Sequence, residues 1–264
     1  MRFFKHLVRL STAWLTCRRI SIAERILYLG RVLGALAMRR RSITYLGKRF
    51  RFDTFRTPVL LMGYPAEVGE NLLGSIPQPV HSVLDIGANI GQFSATLAYY
   101  LPQLDRLDVF EANTELEAYL QQNLPPNSSL YMLGVGPPGE HDFYCMSGAS
   151  VGSSLSAERA TWKGRQPVSR RVEFVNDIKA QTGTDTYDLV KIDVEGAEYT
   201  VIEHLEVKPK SLWLEISGCH KPGTSHRTSE LYELIAGKFG PFNVLYQSEG
   251  RANTISDVLF CFTA

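Results

Sequence analysis

The stretch Val83-Leu84-Asp85-Ile86-Gly87-Ala88-Asn89-Ile90-Gly91-Gln92-Phe93 decides the fold. Apolar residues around one acid form a strand, the chain turns sharply through Gly87 and Gly91, and a helix begins near Gln92. Small residues at such a turn let a ligand approach the backbone. The dinucleotide fingerprint G-x-G-x-x-G would need a second Gly where Asn89 stands and a third three residues later, so a diphosphate ligand is disfavoured. A tight turn without a ligand is the plainer alternative.

Downstream the same grammar repeats. Apolar runs at 82–86, 107–110, 130–133, 189–192 and 212–216 alternate with helical stretches, which predicts a doubly wound α/β fold with a mostly parallel sheet. Runs at 242–246 and 258–262 add a C-terminal antiparallel hairpin at the sheet edge. Several strands end in an acid or glycine, and ligands of open α/β sheets bind beyond those carboxyl ends. Glu111 closes the second strand, where a carboxylate can accept two hydrogen bonds from ribose hydroxyls. Its alternative role is to cap the helix starting near Thr114. Asp85, at the first strand end, orients the loop or meets an ammonium group of the ligand.

The second informative stretch is Asp-Leu-Val-Lys-Ile-Asp-Val-Glu-Gly-Ala-Glu at 188–198, which gathers Asp193, Glu195 and Glu198 around Gly196. Asp193 should face the crevice, whereas Glu195 and Glu198 could equally serve the following helix start. Lys191, between Val190 and Ile192, is a costly buried charge unless a carboxylate pairs with it. Glu215 ends the next run, and the loop after it carries Cys219 and His220. Asp193, Glu215 and His220 are therefore the catalytic candidates for taking a proton from an acceptor hydroxyl. His220 ranks first by its near-neutral pKa and Asp193 second; a solvated loop histidine is the alternative. The same carboxylates could instead hold Mg²⁺.

Charge divides the chain unevenly. Residues 1–56 hold 14 Lys and Arg against Glu24 and Asp53, a net of +12, while the remainder holds 14 basic and 25 acidic residues, a net of −11. Phe3, Leu7, Leu10 and Trp14 recur at helical spacing, as do Ile22, Ile26, Leu29, Leu33 and Leu36 after a break near Ser21. This apolar stripe either packs on the domain or, with Arg39-Arg40-Arg41, forms a basic amphipathic surface for anionic lipid or an acidic acceptor. Alternation at 43–46 and 49–55 around Gly47-Lys48 predicts a hairpin, and 67–73 a short helix. Residues 1–79 thus form a basic helical and hairpin extension, and 80–264 the catalytic domain.

With 264 residues, 44% of them apolar, the chain can build a substantial core. Cys17, Cys145, Cys219 and Cys261 are too dispersed for a zinc site or disulfide scaffold, which favours a reducing, cytoplasmic compartment, with peripheral membrane contact through residues 1–56 as an addition. No apolar run reaches the roughly 18 residues of a bilayer span, because Arg18, Arg19, Arg25 and Arg31 interrupt the N-terminal stretch. The short N-terminal apolar stretch makes a poor secretory signal, and an organelle transit peptide is a lesser alternative.

These motifs together resemble the FkbM family of methyltransferases, through VLDIGANIGQFS, VFEAN, and KIDVEGAEYTVIEHL followed by WLEIS, over roughly residues 65–262. The resemblance implies a class I methyltransferase (Rossmann-like) fold and transfer of a methyl group from S-adenosyl-L-methionine to a hydroxyl of a sugar, glycan or secondary metabolite. It implies a cofactor site from Asp85, Gly87, Asn89, Gly91 and Glu111, with Asp193 as a site residue. Ala88, Ala112 and Gly134 complete the expected cofactor-binding set, the segment 133–136 lying beside the adenine. The basic N-terminal 56 residues and the loop 217–225 fall outside the shared pattern. The Gly- and Ser-rich stretch 148–155 covers the acceptor or is an ordinary loop. Two other functions are weighed: a membrane-associated scaffold that keeps the fold without turnover, and a nucleic-acid methyltransferase. The latter is disfavoured because I-D-V-E-G, not a D/N-P-P-Y/W motif, follows the fourth strand.

Overall fold

A computed structural model describes residues 10–145, 155, 167–216, 228–248 and 256–263. Strands β3 (Ser82–Ile86), β4 (Arg106–Phe110), β5 (Ser128–Tyr131), β9 (Thr186–Ile192), β10 (Lys208–Ile216), β11 (Phe242–Gln247) and β12 (Ser256–Phe262) form one sheet in the order β11-β12-β10-β9-β3-β4-β5. The five strands from β10 to β5 are parallel, and β12 runs antiparallel to both β10 and β11. The chain leaves β3 towards one edge through β4 and β5, then returns to the other side of β3 as β9. That reversal creates a crevice at the carboxyl ends of β3 and β9. This is the expected class I methyltransferase architecture, with the C-terminal hairpin at the edge.

Alternating residues of each strand serve different layers. On one face Val83, Leu107, Leu189 and Trp213 meet helices α2 (Gln92–Tyr100) and α3 (Glu117–Asn123) together with the N-terminal extension. On the other face Leu84, Phe110, Val190 and Leu214 meet α4 (Ile178–Thr182), α5 (Glu198–His204) and α6 (Thr228–Phe239). The first cluster runs unbroken from Trp14 through Phe50 and Leu72 to Val83 and Leu259, so the extension shares the core of the sheet.

Within the extension, α1 (Ile22–Ala37) starts at Ser21, whose hydroxyl accepts the Glu24 N–H at 3.2 Å, as helix-capping chemistry requires. Of the expected stripe on this helix, Leu29 packs against the core and the other four residues do not. Tyr28, Val32 and Ala35 are buried and Leu29 half-buried, whereas Ile22, Ile26, Leu33 and Leu36 are exposed. The helix is apolar on most of its circumference, so periodicity alone cannot choose the inward side. Trp14, Tyr28 and Tyr45 decide it by packing into one aromatic cluster of tilted and edge-on rings, the first pair with centroids 4.5 Å apart.

The hairpin forms as β1 (Ser42–Tyr45) and β2 (Lys48–Arg51), with its turn one residue earlier than expected, at Leu46-Gly47. Both have positive φ, the geometry that matches strand twist, and burial of the Leu46 side chain offsets the strain there. The expected helix at 67–73 is wound more widely, as a π-helix over Pro65–Leu72. Its Gly69 rests against Tyr100, where a β-carbon would come within 2.7 Å of the ring. A second, unexpected sheet lies between β5 and β9: β6 (Gly134–Val135), β7 (Gly139–Cys145) and β8 (Val168–Val175) in the order β6-β8-β7. Among the described residues no helix is long and apolar enough to cross a membrane. Cys17, Cys145 and Cys261 are free thiols; Cys219 lies outside the described residues.

Candidate functional site

At the end of β3 the chain turns through Gly87 (φ 77°), Asn89 (φ 56°) and Gly91 (φ 88°) into α2. The Gly87 and Ala88 N–H groups donate to the Phe110 carbonyl at 3.0 and 3.2 Å, which ties the loop to the end of β4. Gly87 is forced by its neighbour: a β-carbon there would lie 2.0 Å from the Asp193 carbonyl oxygen. Gly91, the N-cap of α2, supplies the left-handed turn and faces Leu120 and Leu124 of the adjoining helical segment.

Glu111, directly after β4, accepts the Asn89 N–H with Oε2 (2.7 Å) and the Asn113 N–H with Oε1 (2.8 Å). It therefore sets the loop, while the N-cap role near Thr114 falls to the Asn113 side chain, which accepts the Glu115 N–H. Burial pushes the Glu111 carboxyl up to about 7, against the pull of these two backbone donors and of Lys191. Each oxygen keeps a further lone pair, and Glu111 lines the cleft beyond the strand ends.

Behind the loop, Asp85 and Lys191 are register partners on β3 and β9. Asp85 is fully buried; its Oδ1 lies 3.1 Å from the Lys191 Nζ and its Oδ2 accepts the Ser94 hydroxyl at 2.6 Å. Lys191 also donates to the Gly87 carbonyl at 2.8 Å, sits 3.6 Å from the Asp193 carboxylate and faces the Phe93 ring. Burial favours its neutral form, yet Asp85 and Asp193 outweigh that and hold the ammonium above its ordinary pKa. Asp85 reaches the loop only through Lys191, which binds the Gly87 carbonyl.

The cleft is open to solvent, and about 670 Å³ of empty space lies in it and in front of it. Gly87, Asn89, Glu111, Ala112, Gly134 and Asp193 line it, as do the apolar rings of Phe110, Phe143 and Phe174. Asp85, Ala88, Gly91 and Glu215 stand outside that lining. Gly134 is pressed against Phe174, whose ring would lie 2.4 Å from an added β-carbon. Glu195 lines the cleft; Glu198 turns back to accept the Gly196 N–H at 2.6 Å. The Asn89 Oδ1 is buried and has no hydrogen-bond partner among the described residues. An acceptor pair at Glu111, an unused amide oxygen, apolar walls and the Asp193 acid in the lining suit a nucleoside that carries a cationic group.

On the far side of Asp193, the half-buried Glu215 carboxyl is held well above the usual carboxylate range, by burial first and then by Asp193, Asp257, Glu195 and Glu67. Burial likewise raises the Tyr64 phenol, with Glu67, Asp193 and Glu215 adding to it. The extension thus brings Tyr64 and Glu67 to the acid-rich rim. No motif marks them. Phe143 and Phe174 were also missed, although the alternation in Val-Ser-Arg-Arg-Val-Glu-Phe-Val at Val168–Val175 is a readable strand signal. His220, the loop 217–225 and all of the stretch 148–155 except Leu155 lie outside the described residues. The Mg²⁺ alternative gains no support: among the described residues, no group of three or more His, Cys, Asp or Glu side chains is placed to hold a metal.

Residues 85–235 match the family model described as the Methyltransferase FkbM domain. Among curated proteins, the AMB antimetabolite synthetase AmbE of Pseudomonas aeruginosa is 26% identical over 204 aligned residues, covering 61% of this chain. The chain spans about a tenth of that protein's length. Among solved structures, a methyltransferase FkbM from Methylobacillus flagellatus is 13% identical with a TM-score of 0.43, covering 89% of this chain and 60% of its own. The magnesium protoporphyrin IX methyltransferase of Synechocystis, solved with bound S-adenosylmethionine, is 16% identical with a TM-score of 0.41, covering 80% and 84%.

Proposed function

The chain belongs to the FkbM methyltransferase family, and from that premise we propose that it methylates a hydroxyl of a sugar, glycan or secondary metabolite, using S-adenosyl-L-methionine. The observation that carries this reading is the cleft at the β3/β9 crevice, where Glu111 offers acceptor lone pairs beside the loop that it holds in place. Bound there, S-adenosylmethionine would supply the electrophilic methyl group.

The chain's own residues do the rest. Glu111 takes the ribose hydroxyls and Asn89 offers its unpartnered oxygen, while Asp193 in the lining complements the positive sulfonium. Asp193 or His220 accepts the hydroxyl proton as the acceptor oxygen attacks. Glu215, whose proton is held more tightly than an ordinary carboxyl's, orients the acceptor as a hydrogen-bond donor. Residues 1–79 form the appendage and 80–264 the catalytic unit in this reading. Calorimetric titration with S-adenosylmethionine, followed by mass spectrometry of hydroxylated acceptors, tests it. Micromolar binding and an oxygen-linked methyl group are expected. No binding overturns the cofactor assignment, and a methyl group on nitrogen or carbon overturns the hydroxyl assignment.

A further inference from the structure

The outward face of α1 is apolar along its whole length. Its exposed residues include Ile22, Ala23, Ile26, Leu27, Leu33 and Leu36, and no charged side chain of the helix is among them. Ile22, Ile26 and Leu33 are 70%, 63% and 68% exposed, values unusual for large apolar residues on one side of a helix. A β-carbon added at Gly30, between them, would meet nothing within 4 Å.

The helix is firmly seated by its other side. The Tyr28 hydroxyl donates to the Pro58 carbonyl at 2.9 Å, and the Trp14 indole N–H donates to the Arg25 carbonyl at 2.9 Å. Charges that α1 does carry are turned away from the exposed face: Arg31 pairs with Glu24 at 2.7 Å, and the Arg25 guanidinium donates to the Ile20 and Leu15 carbonyls. Cations sit instead at the two ends, Arg18 and Arg19 before the helix and Arg39 and Arg40 after it, all exposed, while Arg41 is held by the Asp53 carbonyl and the Phe55 ring.

We infer that α1 docks this protein on an anionic lipid bilayer, lying parallel to the surface with Ile22, Ile26 and Leu33 among the acyl chains and the arginines at either end on the headgroups. Charge complementarity selects this occupant. The first 56 residues carry a net charge of +12, which an anionic surface attracts and a second copy of the same face would repel.

Flotation of the full chain with vesicles tests the inference. Binding is expected to phosphatidylcholine vesicles containing phosphatidylglycerol, and about tenfold weaker binding to pure phosphatidylcholine or in high salt. The double variant Ile26→Ser/Leu33→Ser should lose about tenfold or more in vesicle affinity, with an unchanged thermal midpoint, because both side chains are already in solvent. Replacing Arg39 and Arg40 by Gln should weaken the preference for phosphatidylglycerol, and an undiminished preference overturns the headgroup role. Failure to float with anionic vesicles overturns the inference. So does equal flotation of the double variant, or a dimer of the parent chain that the double variant converts to monomer.

Discussion

The carbonyl oxygen of Asp193 occupies the position that a β-carbon on Gly87 would need, at a separation of 2.0 Å. The carboxyl ends of β3 and β9 are thereby pressed together behind the cleft, and the Asp193 N–H donates to the Ile86 carbonyl at 3.1 Å. Gly87 is first a packing requirement between two strands, and its openness to a ligand is a consequence.

Gly87→Ala should therefore cost more than its backbone conformation alone. A non-glycine residue in the left-handed region costs about 1–2 kcal/mol. Gly183, at φ 81° with nothing within 4 Å of an added β-carbon, provides the control. Thermal unfolding should show Gly183→Ala losing about that amount and Gly87→Ala clearly more. Equal losses would mean that the strands part easily.

Cofactor binding should strengthen with pH around neutrality. The Glu111 carboxyl is raised from its ordinary value to about 7, so the folded chain holds that proton more tightly than the unfolded chain. Its contribution to stability is fully present below about 4.5 and is lost as pH rises through about 7. Ribose hydroxyls donate to the ionised carboxylate, so S-adenosylmethionine affinity should increase from pH 6 to pH 8. In Glu111→Gln the amide cannot accept both the Asn89 and Asn113 N–H groups, which should cost about 1–3 kcal/mol and flatten the pH profile. Calorimetric titration at several pH values checks both points.

Lys191→Met should be among the most damaging substitutions at the site. It strips the buried Asp85 carboxylate of its cation and the Gly87 carbonyl of its donor. Removing one member of a buried pair costs about 3–5 kcal/mol. Urea denaturation should show a loss of that size, and the double variant Asp85→Leu/Lys191→Met should recover part of it.

Asn123 joins the extension to the loop of the site. Its side chain accepts the Arg51 N–H at 2.7 Å and donates to the Arg51 and Ile90 carbonyls at 2.8 and 2.7 Å. Asn123→Ala leaves buried groups unsatisfied, so a loss of about 1–3 kcal/mol is expected, together with weaker cofactor binding. A drop in stability with unchanged affinity would show that the loop does not depend on this link.

Asp193 and Glu215 should separate in kinetics. Asp193→Asn removes an acid from the cleft lining and should lower kcat by about 10²–10⁴ if it is the base, and only by about tenfold if His220 is. Glu215→Gln mimics the protonated carboxyl and should keep kcat within about tenfold. A larger loss for Glu215→Gln than for Asp193→Asn would reverse the roles proposed for them.

Much of the architecture was legible in the chain itself. Parallel strands buried on both faces read as short apolar runs, and the strands betray their carboxyl ends by an acid or a glycine, so β3, β4, β9 and β10 were identifiable, with Gly87, Glu111 and Asp193 at their ends lining the cleft. The inserted sheet was missed because it supplies its own small core around Phe143, Val172 and Phe174 and interrupts the βα alternation.

What the residue order determined alone was local: which segments are extended or helical, where the chain must reverse, and which acids stand at strand ends. Tertiary structure decided every matter of partner and direction. It turned Tyr28 and Val32 of α1 inward and left Ile26 and Leu33 facing out, joined Lys191 to Asp85 across two strands, and carried Tyr64 to the acid rim. The physical reason is that periodicity records only a residue's neighbours along its own element. Desolvation, ion pairing and close contact depend on which other element arrives beside it, and that is set by the packing of the whole chain.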